Sequence, residues 1–247
     1  TIQRFQRVVC QYFHTFKVMA RKALILGASG MIGSALQDIL IEDNYYDQIE
    51  LGVRSYVDRR HPKIQQAIMN FNDSRDYRLA TTGVETVFCC VGTTLKKVNG
   101  DHEAYRKIDF DIPVSAARAA AANGVYGFLL VSSVGADPAR LSNFYLKLKG
   151  VTEEAVCKEQ IPQVHIFRPS LLLGDRKEKR TGESAARFLA PLASPLLFGS
   201  MRKYKPVKAR QLAAAMLTGA KDPRKGIFIH EYDDIQKMAL TSGLYQA

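Results

Sequence analysis

Lys22-Ala23-Leu24-Ile25-Leu26-Gly27-Ala28-Ser29-Gly30-Met31-Ile32-Gly33 decides how the rest of this 247-residue chain is read. A short apolar run stops at a glycine, as a buried parallel strand does. Beyond it, Ile32, Leu36, Ile39 and Leu40 recur at helical spacing. Strand, glycine turn and helix together form the context that a dinucleotide fingerprint requires. In that context Gly27 permits the tight turn. Gly30 lets the backbone approach a pyrophosphate, and Gly33 allows close packing of helix on strand. Phosphates would then sit on backbone N–H groups around Ser29, Met31 and Ile32, at the positive end of the helix.

The next strand reads Gln48-Ile49-Glu50-Leu51-Gly52-Val53-Arg54. A site that prefers NAD ends this strand with an acid, about 20 residues past the glycines, to hold the ribose 2′-hydroxyl. Here Val53 and Arg54 occupy that place, and Glu50 falls too early. A guanidinium offers a planar fork of donors that suits a 2′-phosphate, so the expected cofactor is NADP(H). An exposed loop arginine is the alternative.

Onward the elements alternate. Strands are expected at Gln66–Phe71, Thr86–Val91, Phe128–Ser132, Val164–Phe167 and Gly226–His230. Helices are expected at Asp76–Ala80, Glu103–Asn123, Tyr145 to about Glu159, Ala209–Gly219 and after Asp233. This alternation predicts an α/β fold, a doubly wound parallel sheet of Rossmann type. The expected organisation is an N-terminal extension at 1–18, a dinucleotide-binding core at 19–174 and a small substrate-covering lobe at 175–247 that completes the same domain. Ligands of such sheets bind beyond the carboxyl ends of the strands.

Tyr145 and Lys149 lie four residues apart, on one face of the expected helix. A free phenol has a pKa of about 10, and bringing it to ~7 asks for roughly 4 kcal/mol of differential stabilisation. A nearby ammonium supplies part of that and lets Tyr145 pass a proton during hydride transfer. Upstream, a strand delivers Ser132 and Ser133, either of which could polarise a carbonyl oxygen. Ser133 is preferred, but pleating sends the two to opposite faces and the sequence leaves open which looks inward. Gly92 would leave a wall open for the cofactor, and Thr93 offers a hydroxyl and an N–H. Arg168-Pro169 breaks a strand where the chain would pass the nicotinamide.

With these residues together, the chain resembles the atypical short-chain dehydrogenase/reductases of the NAD(P)-binding Rossmann superfamily, and within them the Tat-interactive oxidoreductase group. The resemblance rests on Gly27-Ala28-Ser29-Gly30, Phe88-Cys89-Cys90-Val91-Gly92-Thr93-Thr94 and Ser132-Ser133-Val134-Gly135-Ala136-Asp137. It rests also on Tyr145-Leu146-x-x-Lys149-Gly150 and Phe167-Arg168-Pro169…Leu172-Leu173-x-Asp175-Arg176. It fades after about Arg180. It implies Ser133 as carbonyl binder, Tyr145 as acid/base, Lys149 as pKa depressor and ribose ligand, and Arg54 on the 2′-phosphate. Phe71, Cys90, Gly92, Thr93, Arg168 and Pro169 would line the cofactor. Asn70 stands where the family commonly places an acid beside the adenine.

Composition narrows the setting. Thirty-five Lys and Arg against 24 Asp and Glu give a net charge of +11, concentrated in 176–180 and 202–210. That charge admits an anionic small-molecule substrate, whereas a nucleic-acid partner has only charge behind it and is not expected. Adjacent Cys89 and Cys90 in a core strand form no disulfide framework, and no Cys/His spacing suggests a metal. No apolar run is long enough to span a membrane, and a reducing, cytoplasmic setting is expected. Thr1–Val18 carries Arg4, Arg7 and Lys17 without an acid, which reads as an upstream extension or as a targeting segment. Helices 103–123 and 143–159 could pair between two subunits. The leading expectation is an NADP(H)-dependent oxidoreductase that moves hydride between nicotinamide and a carbonyl or alcohol. The alternative is a non-catalytic NADP(H)-sensing interaction protein.

Overall fold

A computed structural model of the chain describes residues 20–173 and 199–246. Strands β1 (Lys22–Leu26), β2 (Gln48–Val53) and β3 (Ile64–Ile68) alternate with helices α1 (Met31–Glu42) and α2 (Ser74–Ala80). Then come β4 (Thr86–Cys89), α3 (His102–Arg106), a π-turn (Lys107–Asp111), α4 (Ile112–Ala122) and β5 (Gly127–Val131). Next are α5 (Phe144–Lys158), β6 (Gln163–Phe167) and β7 (Leu172–Leu173). The described chain closes with β8 (Val207–Lys208), α6 (Ala209–Ala220), β9 (Gly226–His230) and α7 (Tyr232–Thr241). The main sheet has the order β3-β2-β1-β4-β5-β6-β9, with every pairing parallel. β7 and β8 form a separate small pair. This is the doubly wound Rossmann-type sheet that the alternation implied, with further C-terminal elements. The strand order reverses between β1 and β4, where such sheets open a crevice.

Alternating side chains of each strand feed two cores. Ile25, Leu51, Phe88 and Leu129 pack with Leu36, Ile39 and Leu40 of α1 and Leu212 and Met216 of α6. Leu24, Leu26, Val87, Phe128 and Leu130 face the other way, against Tyr77, Val114, Ala117 and Val156. Both faces of every central strand are therefore buried, which is why these strands read as nearly unbroken apolar runs.

Two expectations shift. β3 spans Ile64–Ile68 rather than 66–71, because its register is set by Ile49 opposite Ile64. The helix expected at 103–123 is interrupted by the π-turn. Pro113, at the start of α4, has no N–H and would crowd the carbonyl four residues back, that of Asp109. A π-turn absorbs the misfit. The expected extension at 1–18, the boundary at 174–175, and Asp175 and Arg176 lie outside the described residues.

Candidate functional site

The β1–α1 turn is closed by the protein's own packing at two of its three glycines. Gly27 has φ +82°, and a Cβ there would stand 2.7 Å from the carbonyl of Cys90. At Gly33 a Cβ would stand 2.2 Å from the Gly27 oxygen. Gly30 differs: it is extended, and its Cβ would meet only that oxygen, at 3.2 Å. Helix α1 starts at Gly30 with no side-chain cap and no acid in its first turn. Ser29, Met31 and Ile32 thus surround a helix end whose positive pole faces the crevice with no carboxylate of its own to offset it.

Across the crevice, β4 ends in Cys90, Val91, Gly92 and Thr93. Burial pushes the Cys89 thiol up to about 12 and raises Cys90 as well, so both stay protonated and read as packing residues. A Cβ at Gly92 would reach only ordinary contact, 3.6 Å from Asp109 Oδ1. The surrounding protein does not demand glycine there.

Asp109 is the residue the sequence reading missed. Its carboxylate is buried; Oδ1 lies 2.9 Å from Lys149 Nζ, and Oδ2 accepts the Thr93 N–H at 2.8 Å. Its carbonyl, beside Pro113, accepts the Thr152 hydroxyl at 3.1 Å. Pro113 inside an amphipathic helix, four residues after an acid, was the available signal. Burial alone would pull the Lys149 ammonium down, but Asp109 overrides this and the net effect is upward. Lys149 is therefore charged.

Helix α5 presents Tyr145 and Lys149 together, as their spacing required. Its first turn is capped by the Asn143 side chain, which accepts the Leu146 N–H at 3.0 Å. Gly150 lets the helix press on the loop below it, since a Cβ there would fall 2.3 Å from the Pro138 nitrogen. Tyr145 is half-buried, with its ring edge-on to Tyr105 at 6.5 Å.

The two serines part company. The Ser132 hydroxyl is hydrogen-bonded to Glu153. The Ser133 hydroxyl has only a 3.4 Å contact to the Val134 carbonyl. Glu153 also fixes Arg168, whose Nε donates to Oε1 at 3.0 Å. Glu153 on α5 thus holds the Arg168 guanidinium, expected to line the cofactor, while part of that side chain stays exposed. Pro169 contributes its carbonyl to the Val134 N–H at 3.0 Å. At the far end, Arg54 follows β2, is exposed, and among the described residues is engaged by no acid. Glu50 is paired with Lys22 across β1 and β2. Asn70 lies exposed beyond β3, its N–H donating to Asp76 at 2.7 Å, and Phe71 packs edge-on to Tyr77 at 5.9 Å. Among the described residues no His, Cys, Asp and Glu group could hold a metal ion, and no helix is long and apolar enough to cross a membrane.

Residues 27–184 match a family model described as NAD(P)H-binding. The chain belongs to that family. It is 34% identical to Protein HTATIP2 of Rattus norvegicus over 175 residues, 70% of this chain and 71% of that protein. It is likewise 34% identical to the mitochondrial protein FMP52 of Debaryomyces hansenii, over 64% of this chain and 70% of that protein. Among solved structures, MoeE5 with UDP-glucose and NAD superimposes with a TM-score of 0.65 at 15% identity, over 90% of this chain and 82% of that one. A UDP-N-acetylglucosamine 4-epimerase from Methanobrevibacter ruminantium M1 gives 0.64 at 16% identity, covering 86% and 76%. At such identities the structures speak for the fold alone. An NAD(P)-binding fold of the oxidoreductase type, related to the HTATIP2 and FMP52 short-chain dehydrogenase/reductases, is thus shown. One expectation falls: the FMP52 relatives from several fungi are mitochondrial proteins, which overturns the cytoplasmic assignment.

Proposed function

We propose that the chain is an NADP(H)-dependent oxidoreductase acting on a carbonyl or alcohol. The observation that carries this reading is the buried Lys149–Asp109 pair on the crevice side of α5, one turn from Tyr145. Burial of a cation at a crevice wall is costly unless it is paired, and here the pairing carboxylate also fixes the Thr93 backbone. The residues fit a dinucleotide. The uncapped start of α1 and the side-chain-free surface at Gly30 and Gly92 would hold its diphosphate and central portion, and Arg54 would hold a 2′-phosphate. When bound, the cofactor supplies the hydride. Ser133 offers its loosely engaged hydroxyl to the substrate oxygen, Tyr145 gives or takes the proton at that oxygen, and Lys149 favours the phenolate and orients the ribose. The excess of cations suits an anionic substrate.

A second reading, an NADP(H)-sensing interaction protein, is favoured by the same pair: Asp109 offsets part of the charge that Lys149 can turn on the phenol. A screen of carbonyl compounds for NADPH oxidation separates the two. The enzyme reading expects turnover that Tyr145→Phe abolishes while NADPH affinity stays. Turnover equal in wild type and Tyr145→Phe would refute it.

A further inference from the structure

The two edges of the main sheet are finished differently. At the β3 edge, the Gln66 side chain bonds the backbone of Val57 in both directions, at 2.9 and 2.8 Å, so a loop is fastened over that strand. At the other end β9 has no described strand beyond it. Gly226 donates its N–H to Pro162, and His230 accepts the Arg168 N–H, both along β6. Alternation then turns the N–H and C=O of Ile227 and Ile229 outward, unpaired among the described residues. Their side chains are also exposed, at 53% and 48%. The strand from Gly226 to His230 carries no proline and no Lys, Arg, Asp or Glu of the kind that blunts an open edge.

The sequence around β9, Lys225-Gly226-Ile227-Phe228-Ile229-His230-Glu231, is self-complementary when run against itself. An antiparallel two-fold centred on Phe228 sets Ile227 opposite the partner's Ile229, and Lys225 opposite the partner's Glu231. It also matches the outward groups of both strands as hydrogen-bonded pairs. Centring on Ile227 or Ile229 keeps the hydrogen bonds but places a charge opposite an apolar side chain or a proline. Lys225 is exposed and has no acid partner among the described residues. We infer that β9 is a dimerisation edge: two copies of this chain join antiparallel about Phe228 into one continuous sheet. A two-fold contact of this kind is closed, so it ends at a dimer.

Sedimentation of the full chain tests this. Wild type is expected at twice the 27.6 kDa of the single chain. Ile229→Lys should give the single-chain mass with the fold retained, because Ile229 is exposed in the single chain, and with a melting temperature that no longer depends on protein concentration. Lys225→Glu and Glu231→Lys should each weaken the dimer about tenfold, since each places two like-charged pairs across the two-fold. The double variant restores opposite charges and should recover the dimer. A monomeric wild type would overturn the inference. So would a dimer indifferent to Ile229→Lys, as one joined through helices 103–123 and 143–159 would be, or a double variant as weak as the singles.

Discussion

Helix α5 carries two buried ion pairs one turn apart, and they do opposite work. Glu153 binds Arg168 and the Ser132 hydroxyl. Its oxygens are consumed inside the fold, and the pair ties α5 to the ends of β5 and β6. Lys149 binds Asp109, whose other oxygen takes a backbone N–H at the end of β4. That pair lies under Gly92, where the protein leaves room for a Cβ at ordinary contact. The same chemistry serves as a bolt in one place and as a floor for a ligand in the other. What separates them is whether the groups above are filled by protein.

The largest effects should come from breaking either pair singly. Asp109→Ala leaves the buried Lys149 charge alone and is expected to cost about 3–5 kcal/mol, a melting drop on the order of 10 °C. Glu153→Ala leaves the partly exposed Arg168 alone and should cost less. Apolar double replacements sharpen the contrast. Glu153→Leu with Arg168→Met should largely recover stability and keep NADPH binding in a titration. Asp109→Leu with Lys149→Met should also fold but fail to bind.

A smaller effect belongs to the far side of the sheet. Burial lowers His165 from 6.5 to about 4, and His230, 2.8 Å away, is lowered too. The unfolded chain therefore binds more protons than the fold between these values, and stability present above pH 6.5 is lost as pH falls toward 4. The loss should be on the order of 3 kcal/mol. Urea unfolding across that window should flatten in His165→Phe.

Much of this was readable in the chain because the signals are local. The run Lys22–Leu26, the glycines after it, and the Tyr145–Lys149 spacing each follow from backbone sterics or helical period. For Asp109 only the break was readable, from Pro113 four residues on; its pairing with Lys149 depends on a π-turn and on a helix distant in sequence. The Arg168–Glu153 pair was hidden for the same reason: nothing near Arg168 in sequence announces Glu153. The choice between Ser132 and Ser133 likewise needed the Glu153 contact.

Finer still is cofactor choice. Arg54→Ala should lower NADPH affinity about tenfold while sparing NADH, the loss expected for one charge-assisted contact. Equal affinities for both cofactors in wild type would reject the role given to Arg54. The slightest stability change is expected at Gly92→Ala, where a methyl meets only ordinary contact, although NADPH affinity should fall.

Calorimetric titration of NADPH into wild type and Gly30→Val tests the centre of the account. Gly30 is extended, and only the Gly27 oxygen stands near a Cβ built there, at 3.2 Å. The variant should stay folded, with a melting temperature lowered by the tight approach to the Gly27 oxygen, yet bind no NADPH, because its side chain fills the place proposed for the diphosphate. A folded Gly30→Val that binds NADPH as tightly as wild type would contradict the account.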